Sequence, residues 1–241
     1  MISLKKLIFT IISLCVCTAI FISSFIIKES ISTNSTNSTQ GALPVIIIDA
    51  GHGGFDGGAV AADGTVEKDI NLNIALFLQE YLSFFGFKTV MVRDCDCSVE
   101  SDPNATTRAR KTSDLHNRMK LMQSTENAVF VSIHQNKFSQ AQYSGTQVFY
   151  SPQTKDESSQ LAQCIQEAVV NTLQASNTRQ IKECGSSVYL MYNAAKPAVL
   201  VECGFLSNVS EASLLKTEKY QKQIAFCIAI GIQNYSELRS T

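Results

Sequence analysis

The chain has 241 residues, and its 20 Lys and Arg nearly balance its 21 Asp and Glu, for a net charge of −1. That balance argues against a nucleic-acid binder, which should show a basic face, but leaves a polar polymer open as substrate. With 45% apolar residues there is enough material for one well-buried domain of about 200 residues, once a non-globular N-terminus is set aside.

Residues 1–27 read as a membrane anchor or signal segment. Lys5 and Lys6 precede Leu7–Ile27, 21 residues without a charge. At ~1.5 Å per residue this run matches a ~30 Å hydrocarbon core. The positive flank keeps the N-terminus inside and sends the rest of the chain out. Without a good small-x-small site after the run, an uncleaved anchor is favoured over a cleaved signal peptide. The Ser/Thr/Asn tract of residues 28–43 cannot bury apolar surface and reads as a flexible linker. The folded domain is expected over 44–241.

The domain opens with a buried strand, Val45 to Ile48, four β-branched apolar residues without alternation. It runs into Asp49-Ala50-Gly51-His52-Gly53-Gly54, a glycine-rich turn at the C-terminal end of a strand, where open α/β sheets place their sites. The turn does not match G-x-G-x-x-G in frame and has no G-K-[ST], so nucleotide binding is set aside. A helix follows from Thr65–Lys68, with Ile70, Ile74, Leu78 and Leu82 at helical spacing, and ends at Gly86. Phe87–Val92 is a strand. The polar loop 94–110 reads as disordered or as a contact for glycan or partner. Lys111 to about Glu126 is a helix with Leu115, Met119 and Met122 inward. Ala128–Ile133 is a buried strand leading into His134.

Gly145–Tyr150 is a further strand and Lys155 to about Leu173 a helix. Val188–Met191 and Ala198–Val201 are short strands, the latter leading into Glu202. Helices around Glu211–Lys216 and from Glu218 to about Glu237 close the chain. This alternation predicts a single α/β domain, a mostly parallel twisted sheet with helices on both faces. Among the 8 cysteines, Cys95-Asp-Cys97 is the close pair in the domain. Its spacing is not the C-x-x-C of zinc or redox sites, and a disulfide there stays open. The other domain cysteines read as small buried apolar side chains.

Three strand ends thus carry His52, His134 and Glu202, and a parallel sheet brings such ends to one edge. Two histidines and a carboxylate with an open position suit catalytic zinc. Spacing does not fix which carboxylate ligates: Asp49, Asp56, Glu67 and Glu202 are candidates. His116 reads as exposed without a role, and Arg93 and Arg118 as structural ion pairs. Asp49 reads either as the orienter of a ligand histidine or as a partner of turn amides. Asn136 reads as a substrate contact or as a loop anchor.

The strings IIIDAGHGGFDGGA, GTVEKDINL, VFVSIHQN and PAVLVECGFLSN resemble those of the zinc-dependent N-acetylmuramoyl-L-alanine amidases, the amidase type 3 family. The likeness runs from about residue 44 to 236. It lies nearest the spore-cortex, germination-specific branch that takes part in muramic δ-lactam formation, through the N-terminal anchor, Thr107–Lys111 before Asp114-Leu115, Tyr143-Ser144-Gly145 and Tyr189-Leu190-Met191.

The resemblance implies that His52, Glu67 and His134 hold one Zn2+ per chain and that Glu202 is the catalytic carboxylate. It implies metal-assisted hydrolysis of the bond between muramic acid and the first alanine of the stem peptide, with Glu202 as proton carrier. The partners implied are peptidoglycan and, in some members, an activating protein. The place implied is extracytoplasmic, held to the membrane by the N-terminal helix, in the spore envelope. The family usually carries a proline at Ala50 and a small residue at Gln135; a changed cleft wall is the expectation for Gln135. The rival readings are a zinc peptidase on the stem peptide and a catalytically silent wall-binding protein.

Overall fold

The structure is a computed structural model and describes residues 43–239. The N-terminal segment and most of the linker lie outside the described residues, and among the described residues no helix is long and apolar enough to cross a membrane. The strands are β1 (Val45–Ala50), β2 (Thr89–Met91), β3 (Ala128–Asn136), β4 (Gln147–Tyr150), β5 (Lys182–Glu183) and β6 (Ala198–Phe205). The helices are α1 (Glu67–Phe84), α2 (Thr107–Ser124), α3 (Lys155–Thr172), α4 (Tyr189–Tyr192), α5 (Val209–Leu215) and α6 (Glu218–Leu238).

The six strands form one sheet in the order β2-β1-β3-β6-β4-β5. All pairs are parallel except β4 on β6, which is antiparallel. The continuous apolar run of β1 is explained by burial on both faces. Ile46, Ile48 and Ala50 pack against Ile74 and Leu78 of α1, in a core that also takes Leu161 and Ile165 of α3 and Ile224 and Ile228 of α6. Ile47 points the other way, into a smaller core with Met119 and Met122 of α2 and Leu190 and Met191 of α4. Each such fully buried side chain contributes roughly 1.5–3 kcal/mol.

The structure departs from the sequence reading at several places. The predicted strand Val188–Met191 is instead the single helical turn α4, entered through a turn in which Val188 N–H donates to the Gly185 carbonyl. Four apolar residues without a period fit either state. Helix α2 begins at Thr107, not Lys111, because the Thr106 hydroxyl caps it by accepting from Ala109 N–H. Its first turn, Thr-Arg-Ala-Arg, carries no apolar period to read. Strand β5 is two exposed charged residues at the sheet edge and left no apolar signal. Leu115, expected inward, is 37% exposed.

The 94–110 loop is tied down, not disordered. Cys95 and Cys97 are disulfide-bonded to each other. Asn117 donates to the Val99 carbonyl, Arg110 pairs with Glu100, and the Arg110 guanidinium lies over the Phe55 ring. Cys164, Cys184, Cys203 and Cys227 are free and buried.

Candidate metal centre

Strands β1, β3 and β6 are neighbours, so their C-terminal halves share one edge. Beyond β1 the chain turns sharply at His52, whose φ of 61° is left-handed for a non-glycine residue. Such strain persists where the surroundings enforce it, and it is common at functional sites. Arg118 enforces it here. From α2 its guanidinium reaches under the loop and donates to the carbonyls of Ala50 and His52. The glycines beside His52 keep the space narrow. A Cβ on Gly51 would stand 2.2 Å from Nε2 of His134. One on Gly58 would stand 2.6 Å from both Glu67 and the His52 ring.

His134 lies inside β3, not after it: the strand continues to Asn136, with a bulge between His134 and Asn136. Glu202 likewise lies inside β6, paired in register with His134. Glu67 opens α1, where the helix N-terminus favours a carboxylate. Its Oε2 accepts from Ala59 N–H at 2.7 Å and its Oε1 from Gln135 N–H at 3.1 Å. Oε1 also stands 3.0 Å from His134 Nδ1 and 3.3 Å from His52 Nε2. The three donor atoms all lie within 4.8 Å of one another.

These residues fit a divalent cation. Tetrahedral N and O ligands at ~2.0–2.1 Å from zinc stand roughly 3.3 Å apart, close to the two separations measured from Glu67. The other ring nitrogen of His52, Nδ1, is 3.0 Å from Asp56 Oδ2, the arrangement by which a carboxylate orients a ligand imidazole.

The same contacts set the charges of the site. Burial opposes charge on His52, but its hydrogen bonds to Asp56 and Glu67 outweigh this and raise it to about 9. Burial would raise Glu67, yet the two histidines hold it well below the usual carboxylate range. Asp56 is held low by its bond to His52 and by Lys111. Glu202 behaves in the opposite way. Burial pushes it up to about 7, with His134 working against the shift and Glu67 adding to it. Its Oε2 is buried with no hydrogen-bond partner among the described residues.

Several expectations need correction. Asp49 orients neither a ligand histidine nor a turn amide. It is 1% exposed, pairs with Arg118 and accepts from the Ser132 hydroxyl at 2.6 Å. Burial would raise it, but the Arg118 charge wins and holds it low. Gln135 is not on the cleft wall. Its side chain is buried and donates to Asn71 Oδ1. Asn136, by contrast, needs no correction: it lines a groove beside the metal cluster with Phe138, Tyr143, Gln147, Arg179 and Phe205, and its carbonyl accepts from Leu206 N–H. His116 is exposed, as expected, and its ring meets that of Tyr189. Arg118 is an ion-pair residue as expected, bound to Asp49 and Asp114. Arg93 instead donates to the carbonyls of Ala50, Gly51, Lys68 and Cys95. The sequence reading missed Asp56 as orienter of His52; its one signal was an acid four residues on, within the same turn.

Comparison with known proteins places this geometry. The model of the family described as N-acetylmuramoyl-L-alanine amidase matches residues 46–234. The germination-specific N-acetylmuramoyl-L-alanine amidase of Bacillus subtilis is 38% identical over 215 residues, 88% of this chain and 89% of that protein. The CwlD amidase of Clostridioides difficile, solved in complex with the GerS lipoprotein, superposes with a TM-score of 0.77 at 42% identity, over 81% of this chain and 99% of that one. An N-acetylmuramoyl-L-alanine amidase from Clostridium difficile 630 gives 0.68 at 32% identity, over 81% and 97%.

Proposed function

The chain belongs to the N-acetylmuramoyl-L-alanine amidase family, and on that premise we propose a zinc-dependent reaction carried by His52, Glu67, His134 and Glu202. The bond cut joins the lactyl group of muramic acid to the first L-alanine of the peptidoglycan stem peptide. The observation that carries the residue assignment is the convergence of two imidazoles and a carboxylate on the strand edge shared with Glu202, whose buried Oε2 has no hydrogen-bond partner among the described residues.

His52 Nε2, His134 Nδ1 and one oxygen of Glu67 would hold the ion. Bound there, zinc supplies Lewis acidity, lowering the pKa of a water and polarising the scissile carbonyl. The protein groups do the rest. Glu202 takes the proton of the attacking water and delivers it to the departing alanine nitrogen. A group that titrates near neutral pH suits both transfers. Asp56 keeps the proton of His52 on Nδ1, so Nε2 presents its lone pair inward. Arg118 holds the His52 carbonyl, and with it the loop, from below. Phe55, Leu115 and Leu190 give the cleft an apolar wall.

The biological setting is part of the same proposal. Likeness to the germination-specific enzyme of Bacillus subtilis supports action on spore-cortex peptidoglycan in muramic δ-lactam formation. The GerS complex of the Clostridioides difficile relative supports a lipoprotein partner for this chain as well. Residues 1–27 would export and anchor the chain, 28–43 would tether it, and 44–241 would be the catalytic domain.

The test is a digest of purified spore-type and vegetative peptidoglycan by residues 40–241, with bound zinc quantified and products read by mass spectrometry. Free stem peptides beginning at alanine, with about one zinc per chain, are expected. Cleavage within the stem would point instead to a peptidase. Replacing Glu202 by Ala should abolish turnover while zinc stays bound; loss of zinc in that variant would reverse the assigned roles.

A further inference from the structure

A second feature on the same face of the sheet takes no part in holding a metal. Glu202 pairs with His134 on β3 and with Gln147 on β4, so the three side chains form one row across three strands. Strands stand ~4.8 Å apart, which places Gln147 one spacing beyond Glu202 and two, ~10 Å, beyond His134. Gln147 Oε1 accepts from Arg179 Nη1 at 3.2 Å, and its Nε2 donates to the Gln180 carbonyl at 2.9 Å. Arg179 Nε donates to the Ser144 carbonyl at 2.7 Å. The guanidinium lies 4.4 Å over the Phe205 ring and 5.6 Å from that of Tyr143.

This arginine is held in place but not neutralised. Among the described residues no carboxylate forms an ion pair with it, and no hydrogen bond engages its Nη2. Glu211 feels its charge, but that carboxylate is committed to the N–H groups of Gly145 and Phe205. Lys111 and Arg118, the cations lining the metal cleft, are already paired, with Asp56 and with Asp49 and Asp114. Arg179 faces the open groove walled by Asn136, Phe138 and Tyr143. A planar guanidinium fixed through two nitrogens, with a free edge over an open groove, is built to take a carboxylate.

We propose that Arg179 is a specificity-determining residue that binds the free α-carboxylate of the second stem-peptide residue, a γ-linked glutamate. The proposal rests on the amidase reading above. In such a stem that carboxylate lies about two residues of chain, ~7 Å, from the scissile nitrogen. Gln147 stands one strand spacing, ~4.8 Å, beyond Glu202 in that direction, and Arg179 is bonded to its side chain. Where the carboxylate is amidated to isoglutamine, the charge and one acceptor oxygen are lost, and the arginine is left facing a donor.

The experiment compares two soluble substrates whose second residue is γ-linked to a third, N-acetylmuramoyl-L-alanyl-γ-D-glutamyl-L-lysinamide and its α-amidated (isoglutaminyl) counterpart, with the zinc-loaded full chain. Wild type should cleave the acid with a kcat/KM at least about tenfold higher, mostly through KM. Arg179→Gln should bring the acid-to-amide ratio to about one, and Arg179→Lys should restore part of it. Binding of both compounds to Glu202→Gln is the companion measurement, because it does not require turnover. Equal cleavage of acid and amide by wild type would overturn this proposal and leave the amidase reading standing. Preferential binding of the acid without cleavage of either would uphold it while the amidase reading fails. A variant that slows both compounds equally, with the ratio unchanged, would assign Arg179 a structural role and overturn the proposal.

Discussion

Asp56 holds His52 by Nδ1 at 3.0 Å, four residues away in the same glycine-rich turn. The contact fixes both the tautomer and the tilt of a ring whose backbone is already in a left-handed conformation. It also gives the turn a purpose beyond carrying a ligand, since the acid that orients the ring comes from the loop that bears it.

Removing that acid should therefore weaken metal binding without unfolding the domain. Asp56→Asn keeps the shape of the side chain but withdraws its charge from His52 and Lys111. Loss of a carboxylate behind a ligand histidine typically costs about 10- to 100-fold in metal affinity. Competition with a chromophoric chelator measures this, and an unchanged affinity would show that Asp56 does not orient the ring.

The same contact sets a pH dependence. In the metal-free protein His52 is raised to about 9 from the ordinary 6.5, so the folded state holds this proton more tightly than the unfolded chain. Its contribution to stability is fully present below pH 6.5 and is lost as pH rises through about 9. A cation must displace that proton. Between these limits zinc binding should release about one proton, and affinity should climb up to roughly tenfold per pH unit. Titration calorimetry in buffers of different ionisation enthalpy reads the proton directly. A zinc affinity flat from pH 6.5 to 8.5 would contradict the raised His52.

Beneath the loop, Arg118 and Asp49 form an ion pair in which both partners are almost fully buried. Arg118→Met would strand Asp49 without a counter-charge and free the His52 carbonyl. Breaking a buried pair from one side costs about 3–5 kcal/mol. Asp49→Asn should cost less, because Asp114 still neutralises the guanidinium. Urea unfolding of the two variants gives the order, and an equal loss would mean that Asp114 does not compensate.

These contacts mark the limit of what a linear reading reaches. His52 and His134 were legible because strand ends next to glycine or a break in apolar pattern are visible in one dimension. The sheet order that brings them together followed from alternating strands and helices. Asp49 was misread because its partner sits 69 residues on, in a helix whose first turn carries no apolar period. Gln135 was misread because a side chain's face depends on strand register, and the strand ran past its expected end. Val188–Met191 became a helical turn because four apolar residues carry too little period to choose a state.

The closest packing in the site gives the last prediction. A methyl group added at Gly51 would stand 2.2 to 2.7 Å from three atoms of the His134 ring. The backbone there is fixed on both sides, since Gly51 N–H donates to the Ile133 carbonyl and its own carbonyl accepts from Arg93 at 3.0 Å and Asn71 at 3.2 Å. The ring must then swing away, because it is the one part free to move. Gly51→Ala should leave the protein folded, as the affected side chain lies at the sheet edge and not in either core. It should abolish stoichiometric zinc binding, because His134 Nδ1 can no longer meet Glu67 and His52. The paired measurement is a thermal melt with zinc quantified after gel filtration. A variant that melts normally and still carries about one zinc per chain would mean that His134 is not a ligand.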